Sequence, residues 1–268
     1  MFHAHGPLWP CLLWLDEELE LSFIEKIMNG GKNITVGTHN AAVREKWIEQ
    51  ALQSVPAGDR ILDAGAGECQ FRRFCQHLNY VSQDLAQYDG SGNDAGLQTG
   101  TWDTSAIDIV CDICDVPEPD GSFDAILCTE VLEHLPDATP ALKEFSRLLR
   151  PGGRLIMTAP FGSLTHFAPY HFATGFNRYY YLHHLERMGF VDIQITENGN
   201  FFEYVGQELR RVDQCAQQYT GTSLTKPQRF ALKILLSTLE KLSASDNGSK
   251  ELLNFGLHVM ATRGDRGG

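Results

Sequence analysis

The chain has 268 residues, long for one average domain and short for two, so its length favours a single domain with an insertion or an extension. The formal charge at pH 7 is −12, the wrong sign for a protein that holds polyanionic phosphate by electrostatics. Apolar residues make up 43% and charged residues 21%, which excludes a largely disordered chain. We therefore expect a folded protein without general affinity for nucleic acid.

The N-terminus and the cysteines bear on location. The apolar stretch 12–15 follows Pro10, has no basic region before it and runs directly into acidic residues, so it predicts neither a signal peptide nor a membrane span. The seven cysteines are odd in number, which is typical of a reduced, cytoplasmic protein. Cys111 and Cys114 have C-x-x-C spacing, but no second pair stands at a ligand spacing, so we predict no metal or redox chemistry there.

The first forty residues are interpreted as an N-terminal arm with one helix over residues 12–28, and residues 41–268 as the main domain. From residue 60 onward, short apolar runs alternate with helical patterns, as in βαβ units with a parallel sheet. The candidate strands are 60–63, 80–83, 107–111, 123–128, 154–158, 191–196 and 256–262. The sequence therefore predicts an α/β fold with a doubly wound, seven-stranded and mostly parallel sheet.

Helices are predicted between the later strands. One begins after Asp137 and ends at Pro151-Gly152-Gly153, and another spans residues 178–188. Two more helical patterns fill about residues 199–254, which we interpret as a helical insertion before the last strand. Residues 87–100 are rich in Gly, Asp and Ser and predict an irregular surface loop.

A carboxylate and two glycines follow the first strand, where we expect the chain to pass into a helix. Gly65 and Gly67 would let the backbone turn sharply and approach a ligand closely after Asp63. Gln70 stands where a dinucleotide fingerprint needs glycine, and no Gly-Lys-Ser/Thr follows. Neither a nicotinamide enzyme nor a phosphate-cradling P-loop is indicated.

The ends of the next two strands carry acidic residues, at the edge where open α/β sheets bind ligands. Asp84 ends the second strand, where its carboxylate can accept both hydroxyls of a ribose. Asp112 and Ile113 end the third, offering an acceptor for an exocyclic amine beside an apolar surface for a purine. Together they describe a nucleoside site without a phosphate holder.

These segments, with the long run 122–135 (SFDAILCTEVLEHL) and the run 148–153 (LLRPGG), resemble the class I S-adenosylmethionine-dependent methyltransferases over about residues 41–263. The resemblance implies a Rossmann-like methyltransferase fold and S-adenosylmethionine as cofactor. Cys69 replaces the third glycine of the family's first motif.

The resemblance also implies roles for single residues. Asp63 and the turn after it would face the methionine end, Asp84 the ribose and Asp112 the adenine amine. The residues to which it assigns cofactor binding are Asp63, Ala64, Gly65, Gly67, Asp84, Leu85, Asp112, Ile113, Thr129 and Glu130.

Glu130, Glu133 and His134 are spaced i, i+3 and i+4, on one face of a helix start. The segment is similar to one that binds a divalent ion in small-RNA 2′-O-methyltransferases and in some ubiquinone-pathway O-methyltransferases. It is also common in relatives without metal, where acidic residues suit a helix N-terminus. We therefore expect no metal and turnover that survives chelation.

The segment 165–172 follows the fifth strand and would overhang the edge where the methyl group is presented. It contains His166 and His171, and histidine is the side chain best able to take a proton near neutral pH. His134 is a third candidate base. The alternative is that the aromatic residues of this segment pack the insertion against the sheet and the histidines are not catalytic.

We therefore predict methyl transfer to oxygen or nitrogen of a small molecule, such as a sugar or another secondary metabolite, with nucleophile, methyl and sulfur aligned by the protein. DNA amine methyltransferases carry Asn/Asp-Pro-Pro-aromatic where this chain has Thr-Glu-Val-Leu at residues 129–132. An RNA-terminus methyltransferase and a non-catalytic S-adenosylmethionine-binding partner remain as alternatives.

Overall fold

The computed structural model describes residues 33–265, so the helix predicted over residues 12–28 lies outside the described residues. The helices and strands of the described part are, in chain order, α1 (Asn40–Gln53), β1 (Arg60–Ala64), β2 (Asn79–Asp84), β3 (Ile109–Val110), β4 (Phe123–Thr129), α2 (Thr139–Leu148), β5 (Leu149–Pro160), α3 (Arg178–Arg187), β6 (Phe190–Asn198), α4 (Phe201–Thr220), α5 (Lys226–Ala244) and β7 (Gly256–Arg263). Short 3-10 turns occur at Arg72–Phe74, Leu132–His134 and Ser249–Glu251.

The strands of the described part form one sheet in the order β3-β2-β1-β4-β5-β7-β6. β1 pairs in parallel with β2 and β4, and β4 pairs in parallel with β5. β7 lies antiparallel between β5 and β6. The strand order reverses between β1 and β4, which is the place where open α/β sheets bind ligands. The predicted seven-stranded, mostly parallel, doubly wound sheet is confirmed.

Helices cover both faces of this sheet. α2 and α3 pack on one face, where Phe145 and Tyr181 are fully buried. α1 packs on the other face through Ile48 and Leu52. Complete burial of an apolar side chain of this size contributes roughly 1.5–3 kcal/mol. α1 was not predicted from the sequence, because its three buried residues are too few to form a clear apolar stripe.

The helix expected directly after the glycine turn is not formed. Residues 68–71 form turns, and only the 3-10 turn Arg72–Phe74 follows. The cause is the backbone of the turn, because Gly65, Gly67 and Cys69 all have positive φ angles. A right-handed α-helix requires negative φ, so helical hydrogen bonding cannot start here.

β3 is shorter than the predicted strand 107–111. Its neighbour β2 meets a side chain instead of a backbone carbonyl at this point: the backbone N–H of Ser82 donates to the Asp108 carboxylate at 2.9 Å. The hydroxyl of Ser82 donates to the same carboxylate oxygen at 2.7 Å. The regular ladder is therefore limited to Ile109–Val110.

The predicted helix between the fourth and fifth strands is α2. As expected, Asp137 lies at its start, where its side chain accepts the N–H of Thr139 at 2.9 Å. The helix ends at Leu148, however, and β5 begins at the next residue. The stop expected at residues 151–153 is therefore wrong, and these residues lie within β5 where its pairing with β4 shifts register.

The predicted insertion is formed by α4 and α5, which lie between β6 and β7 and pack against each other. The segment before α1 is bound to it. Arg210 of α4 donates to the carbonyl oxygens of Ile34 and Val36 at 2.6 and 2.8 Å. The N–H of Gly37 donates to the Glu203 carboxylate at 2.6 Å. This part of the predicted arm therefore belongs to the packed structure.

No helix within residues 33–265 combines the length and the apolar character needed to cross a membrane. The cysteines of this part, including Cys111 and Cys114, are all free thiols.

Candidate active site

The glycine turn lies at the carboxyl end of β1, beside the neighbouring strand. The backbone N–H of Gly65 donates to the carbonyl oxygen of Gln83 at 2.9 Å. Gly65 and Gly67 have φ angles of 74° and 52°, in the region that favours glycine. A Cβ added to Gly65 would lie 2.5 Å from Val131, and one added to Gly67 would lie 2.4 Å from Trp102. The turn is thus in close contact with the segments that follow β4 and β2.

Asp63 of β1 is a buried carboxyl group, 1% exposed. Its Oδ2 accepts the hydroxyl of Tyr80 at 2.6 Å, while its Oδ1 is buried without a hydrogen-bond partner. Burial raises the pKa of Asp63 to about 7, although the Tyr80 bond acts in the opposite direction. A buried carboxylate oxygen without a donor is suited to a cationic or hydrogen-donating group of a ligand.

Asp84 ends β2 beside the glycine turn. Its Oδ2 accepts the N–H of Gly67 at 3.0 Å, and its Oδ1 accepts the N–H of Ala86 at 2.8 Å. These bonds orient the carboxylate but leave a lone pair on each oxygen for further donors. The next residue, Leu85, is 45% exposed. The predicted ribose carboxylate and one predicted adenine contact therefore lie next to each other at this edge.

The residues after β3 differ in what they offer. Oδ1 of Asp112 accepts the N–H of Cys114 at 2.8 Å, within a local turn. Ile113 is 5% exposed and packs in the main core. Of the two residues predicted to contact the adenine, Leu85 therefore has accessible apolar surface, whereas Ile113 contributes to the core.

Glu130 follows Thr129, the last residue of β4, and both of its carboxylate oxygens have partners. Oε1 accepts the hydroxyl of Thr158 at 2.8 Å, and Oε2 accepts the guanidinium of Arg44 at 2.8 Å. Arg44 belongs to α1, so this ion pair attaches that helix to the sheet edge. Arg44 was not predicted from the sequence, because one arginine in a weakly patterned helix carries no signal.

Four side chains form what we call the histidine cluster: Glu133, His134, His166 and His171. Glu133 is fully buried, and neither of its carboxylate oxygens has a hydrogen-bond partner. The Nε2 atoms of His134 and His166 each lie 3.9 Å from Oε1 of Glu133. One ligand atom from each of these three residues lies within 4.8 Å of the other two.

The hydrogen-bond partners of the two nearer histidines show which ring nitrogen carries hydrogen. Nδ1 of His134 lies 2.6 Å from the carbonyl oxygen of Tyr170, and Nδ1 of His166 lies 2.9 Å from that of Leu164. A carbonyl can only accept, so each Nδ1 carries hydrogen, and in the neutral tautomer Nε2 is the nitrogen with the lone pair. Burial lowers the pKa of His134 to about 4 and raises that of Glu133. These three groups could hold a cation, which would displace the proton that burial favours on Glu133.

His171 completes the cluster from the other side. Its ring centroid lies 4.8 Å from that of His166 and 6.1 Å from that of His134, and its Nε2 lies 3.2 Å from the hydroxyl of Ser163. Burial and the neighbouring His166 lower the pKa of His171, so the ring is neutral at pH 7. The three histidines singled out in the sequence thus lie together, and their catalytic role stays a prediction.

The loop after β2 holds the histidine segment in place. The N–H of Leu97 donates to the carbonyl of Thr165, and the N–H of Phe167 donates to the carbonyl of Leu97, both at 3.0 Å. The Phe167 ring stacks on Tyr88 at 4.4 Å and on His134 at 5.1 Å between centroids. Residues 87–100 are irregular, as predicted, but they also form one wall of the site.

Trp102 joins the two sides of the site. Its ring contacts Phe167, with centroids 5.2 Å apart, and it packs against Gly67. Contacts therefore run without interruption from the glycine turn to the histidine cluster. Neither Trp102 nor Tyr88 was predicted as a site residue, although two aromatic residues in and beside a polar, glycine-rich segment could have drawn attention to it.

Comparison with known proteins shows that the central part of the chain is similar to methyltransferases. Residues 62–157 match the model of a family described as a methyltransferase domain. The chain is 33% identical over 119 residues to a ubiquinone biosynthesis O-methyltransferase of Xanthomonas axonopodis pv. citri (strain 306), covering 43% of this chain and 48% of that protein. It is also 33% identical over 106 residues to 27-O-demethylrifamycin SV methyltransferase of Amycolatopsis mediterranei (strain S699), covering 38% of each chain.

These alignments span less than half the length of the two curated relatives. The fold has a broader match. A crystal structure of a SAM-dependent methyltransferase from Archaeoglobus fulgidus superposes with a TM-score of 0.52 at 14% identity, covering 91% of this chain and 99% of that one.

Proposed function

We propose that this chain, in which residues 62–157 match a methyltransferase-domain family, is an enzyme that transfers a methyl group from S-adenosylmethionine to an oxygen of a small molecule. The observation that carries the proposal is the continuous contact from Asp63 and the glycine turn, through Trp102 and Phe167, to the histidine cluster. It brings a nucleoside-type site and a proton-accepting site to one sheet edge.

The residues at the ends of β1 and β2 fit the cofactor. The unpartnered Oδ1 of Asp63 suits the ammonium group of a methionine moiety, and Asp84 retains lone pairs for ribose hydroxyls. The exposed surface of Leu85 suits the adenine ring. When bound, S-adenosylmethionine supplies a methyl group on a sulfonium that is already an activated leaving group, so the protein mainly orients the reactants and accepts a proton.

We assign proton acceptance to His171. Its ring is neutral at pH 7 and lies in the segment held across the site by Leu97. The hydroxyl of Ser163, 3.2 Å from its Nε2, orients the ring. Oxygen is favoured over nitrogen as the acceptor because the first relative is named as an O-methyltransferase and the second acts at a position designated 27-O.

We also propose that Glu133, His134 and His166 hold a divalent cation, which reverses the expectation drawn from the sequence. The support is the convergence of two imidazole lone pairs on a fully buried carboxylate whose oxygens have no donor. Glu130 is not part of this set, because Arg44 and Thr158 occupy its oxygens. A cation held there would lower the pKa of an acceptor hydroxyl and ease its deprotonation.

The proposal is tested by release of S-adenosylhomocysteine in the presence of phenols, sugars, amines and a short RNA with a free terminal ribose. We expect acceptor-dependent release with the hydroxyl compounds. His171→Gln should lower kcat by roughly 10² to 10⁴ while leaving S-adenosylhomocysteine affinity unchanged, because proton removal belongs to the transition state. His183→Gln, on the exposed side of α3, is the matched control.

The same panel separates the alternatives. Turnover with the RNA alone would show that the acceptor is an RNA terminus and not a small molecule, despite the protein's formal charge of −12. Cofactor binding without release on any acceptor would indicate a non-catalytic binding partner. A change in kcat below tenfold for His171→Gln would remove this residue as the base.

A further inference from the structure

The hydrogen bond from Tyr80 is the one hydrogen bond to the Asp63 carboxylate within residues 33–265. The two residues lie on adjacent parallel strands, where Tyr80 is paired with Ile61 and Asp63 with Ser82. They are therefore diagonal neighbours on the same face of the sheet, since side chains alternate along a strand. The phenol oxygen lies 2.6 Å from Oδ2 of Asp63.

No other donor in residues 33–265 serves the Asp63 carboxylate. Its second oxygen, Oδ1, has no partner. The titratable groups that face it from the surrounding elements are Asp84 on β2, Cys75 after the glycine turn and Cys128 on β4, while Cys69 faces the Tyr80 hydroxyl. None of these stabilises a negative charge, because Asp84 is itself acidic and burial keeps Cys75 and Cys128 neutral. A buried carboxylate in such surroundings ionises only with help from a donor.

We propose that Tyr80 is a positioning residue for the cofactor: its hydroxyl stabilises the ionised form of Asp63 and leaves Oδ1 available for the ammonium group of the methionine moiety. This inference rests on the proposed function, because it takes S-adenosylmethionine as the ligand of Asp63. It assigns to Tyr80 a role that packing alone would not require, since a phenylalanine would fill the same space.

Two features keep the phenol in this role. The guanidinium of Arg72 lies over the Tyr80 ring, 5.1 Å from its centroid, and is itself paired with Asp108 at 3.9 Å. A cation over the ring is attracted to its face and helps to fix the position of the ring. Burial and the neighbouring Asp63 raise the pKa of Tyr80, so the hydroxyl keeps its proton throughout the neutral range.

The consequence is a pH-dependent affinity. An ammonium group binds the ionised form of Asp63, and the pKa of that group is about 7 in the ligand-free protein. Affinity for a cofactor analogue should therefore rise between pH 6 and pH 8.5 as Asp63 loses its proton. Without the Tyr80 hydroxyl the ionised form becomes rarer at any given pH, and the rise moves to higher pH.

The experiment is titration calorimetry of the full chain with S-adenosylhomocysteine at half-unit steps from pH 6 to pH 8.5. Tyr80→Phe is compared with wild type and with Tyr219→Phe, which removes a hydroxyl from a tyrosine that is 68% exposed on α4. At pH 7 we expect Tyr80→Phe to bind roughly five- to fiftyfold more weakly, the loss that follows from removing one charge-assisted hydrogen bond. The difference in affinity between Tyr80→Phe and wild type should narrow toward pH 8.5. Tyr219→Phe should bind S-adenosylhomocysteine with the affinity of wild type at each pH.

A wild-type protein that binds S-adenosylhomocysteine with the same affinity and pH profile as Tyr80→Phe would overturn the inference and leave the proposed function intact. Absence of binding by wild type at every pH would refute the proposed function itself. If Tyr80→Phe does not fold, Asp63→Asn provides the test, because an amide cannot ionise. Its affinity should be low and constant over this range, and a persistent rise with pH would overturn the inference.

Discussion

Replacement of Glu133 by glutamine should remove the response of the protein to divalent cations. Glu133 is shielded from water, with 0% of its surface exposed, and neither of its carboxylate oxygens has a hydrogen-bond donor. A cation present at a hundred times its dissociation constant stabilises the folded state by about 2.7 kcal/mol. For a protein of this size each kcal/mol raises Tm by about 2–4 °C, so wild type should gain roughly 5–10 °C. The neutral amide of Glu133→Gln is a weak ligand, so the variant should gain less than about 2 °C.

The assay is thermal unfolding followed by circular dichroism, after dialysis against EDTA and then with magnesium, manganese or zinc added singly. Glu186→Gln is the matched control, because it makes the same change on the exposed surface of α3. It should respond to cations as wild type does. The reasoning fails if wild type gains nothing from any of the three ions, or if Glu133→Gln gains as much as wild type.

Two further outcomes are expected. Asp84→Ala should weaken S-adenosylhomocysteine binding by about 2–3 kcal/mol, because a charged acceptor for two hydroxyls is lost. If calorimetry shows a change in Kd below threefold while the fold stays intact, Asp84 does not belong to the site. Burial lowers the pKa of His258 from 6.5 to about 4, so the stability contributed by its neutral ring is present above pH 6.5 and lost as the pH falls toward 4. His258→Phe keeps the stacking on Trp47 but has no ring to protonate. Between pH 6.5 and pH 4 its free energy of unfolding, measured with urea, should therefore fall by about 3 kcal/mol less than that of wild type. Parallel plots of unfolding free energy against pH for the two proteins would contradict this.

The central strands could be predicted because burial on both faces leaves a continuous apolar run in the sequence. β1 is an example: residues 60–63 were predicted, the strand is Arg60–Ala64, and the residues from Ile61 to Ala64 are at most 1% exposed. The acidic residues at strand ends could be located for the same reason. Where the range of a strand is predicted correctly, the residue at its carboxyl end is known as well. Asp84 beside the glycine turn follows from β1 and β2 alone.

Contacts between distant segments could not be predicted. Arg44 reaches Glu130 across 86 positions of the chain, and nothing local to either residue indicates the other. The spacing predicted that Glu130, Glu133 and His134 share one face of a helix start. A sharp backbone turn at Glu130, with φ of 54°, instead directs its side chain toward Thr158 and Arg44. His166, whose Nε2 lies 3.9 Å from Oε1 of Glu133, comes from the segment after β5.

The pairing of Leu97 with His166 has a consequence for how this sheet edge can be altered. It joins the loop after β2 to the loop after β5, two strands separated in the sheet by β1 and β4, a span of about 14 Å at the usual strand spacing. A loop that crosses this distance has to match its counterpart in length and backbone direction. Replacement of the histidine segment, whether in evolution or in engineering, should therefore require both loops to be exchanged as one unit, because a transplanted segment alone would lose the backbone bonds that set its position.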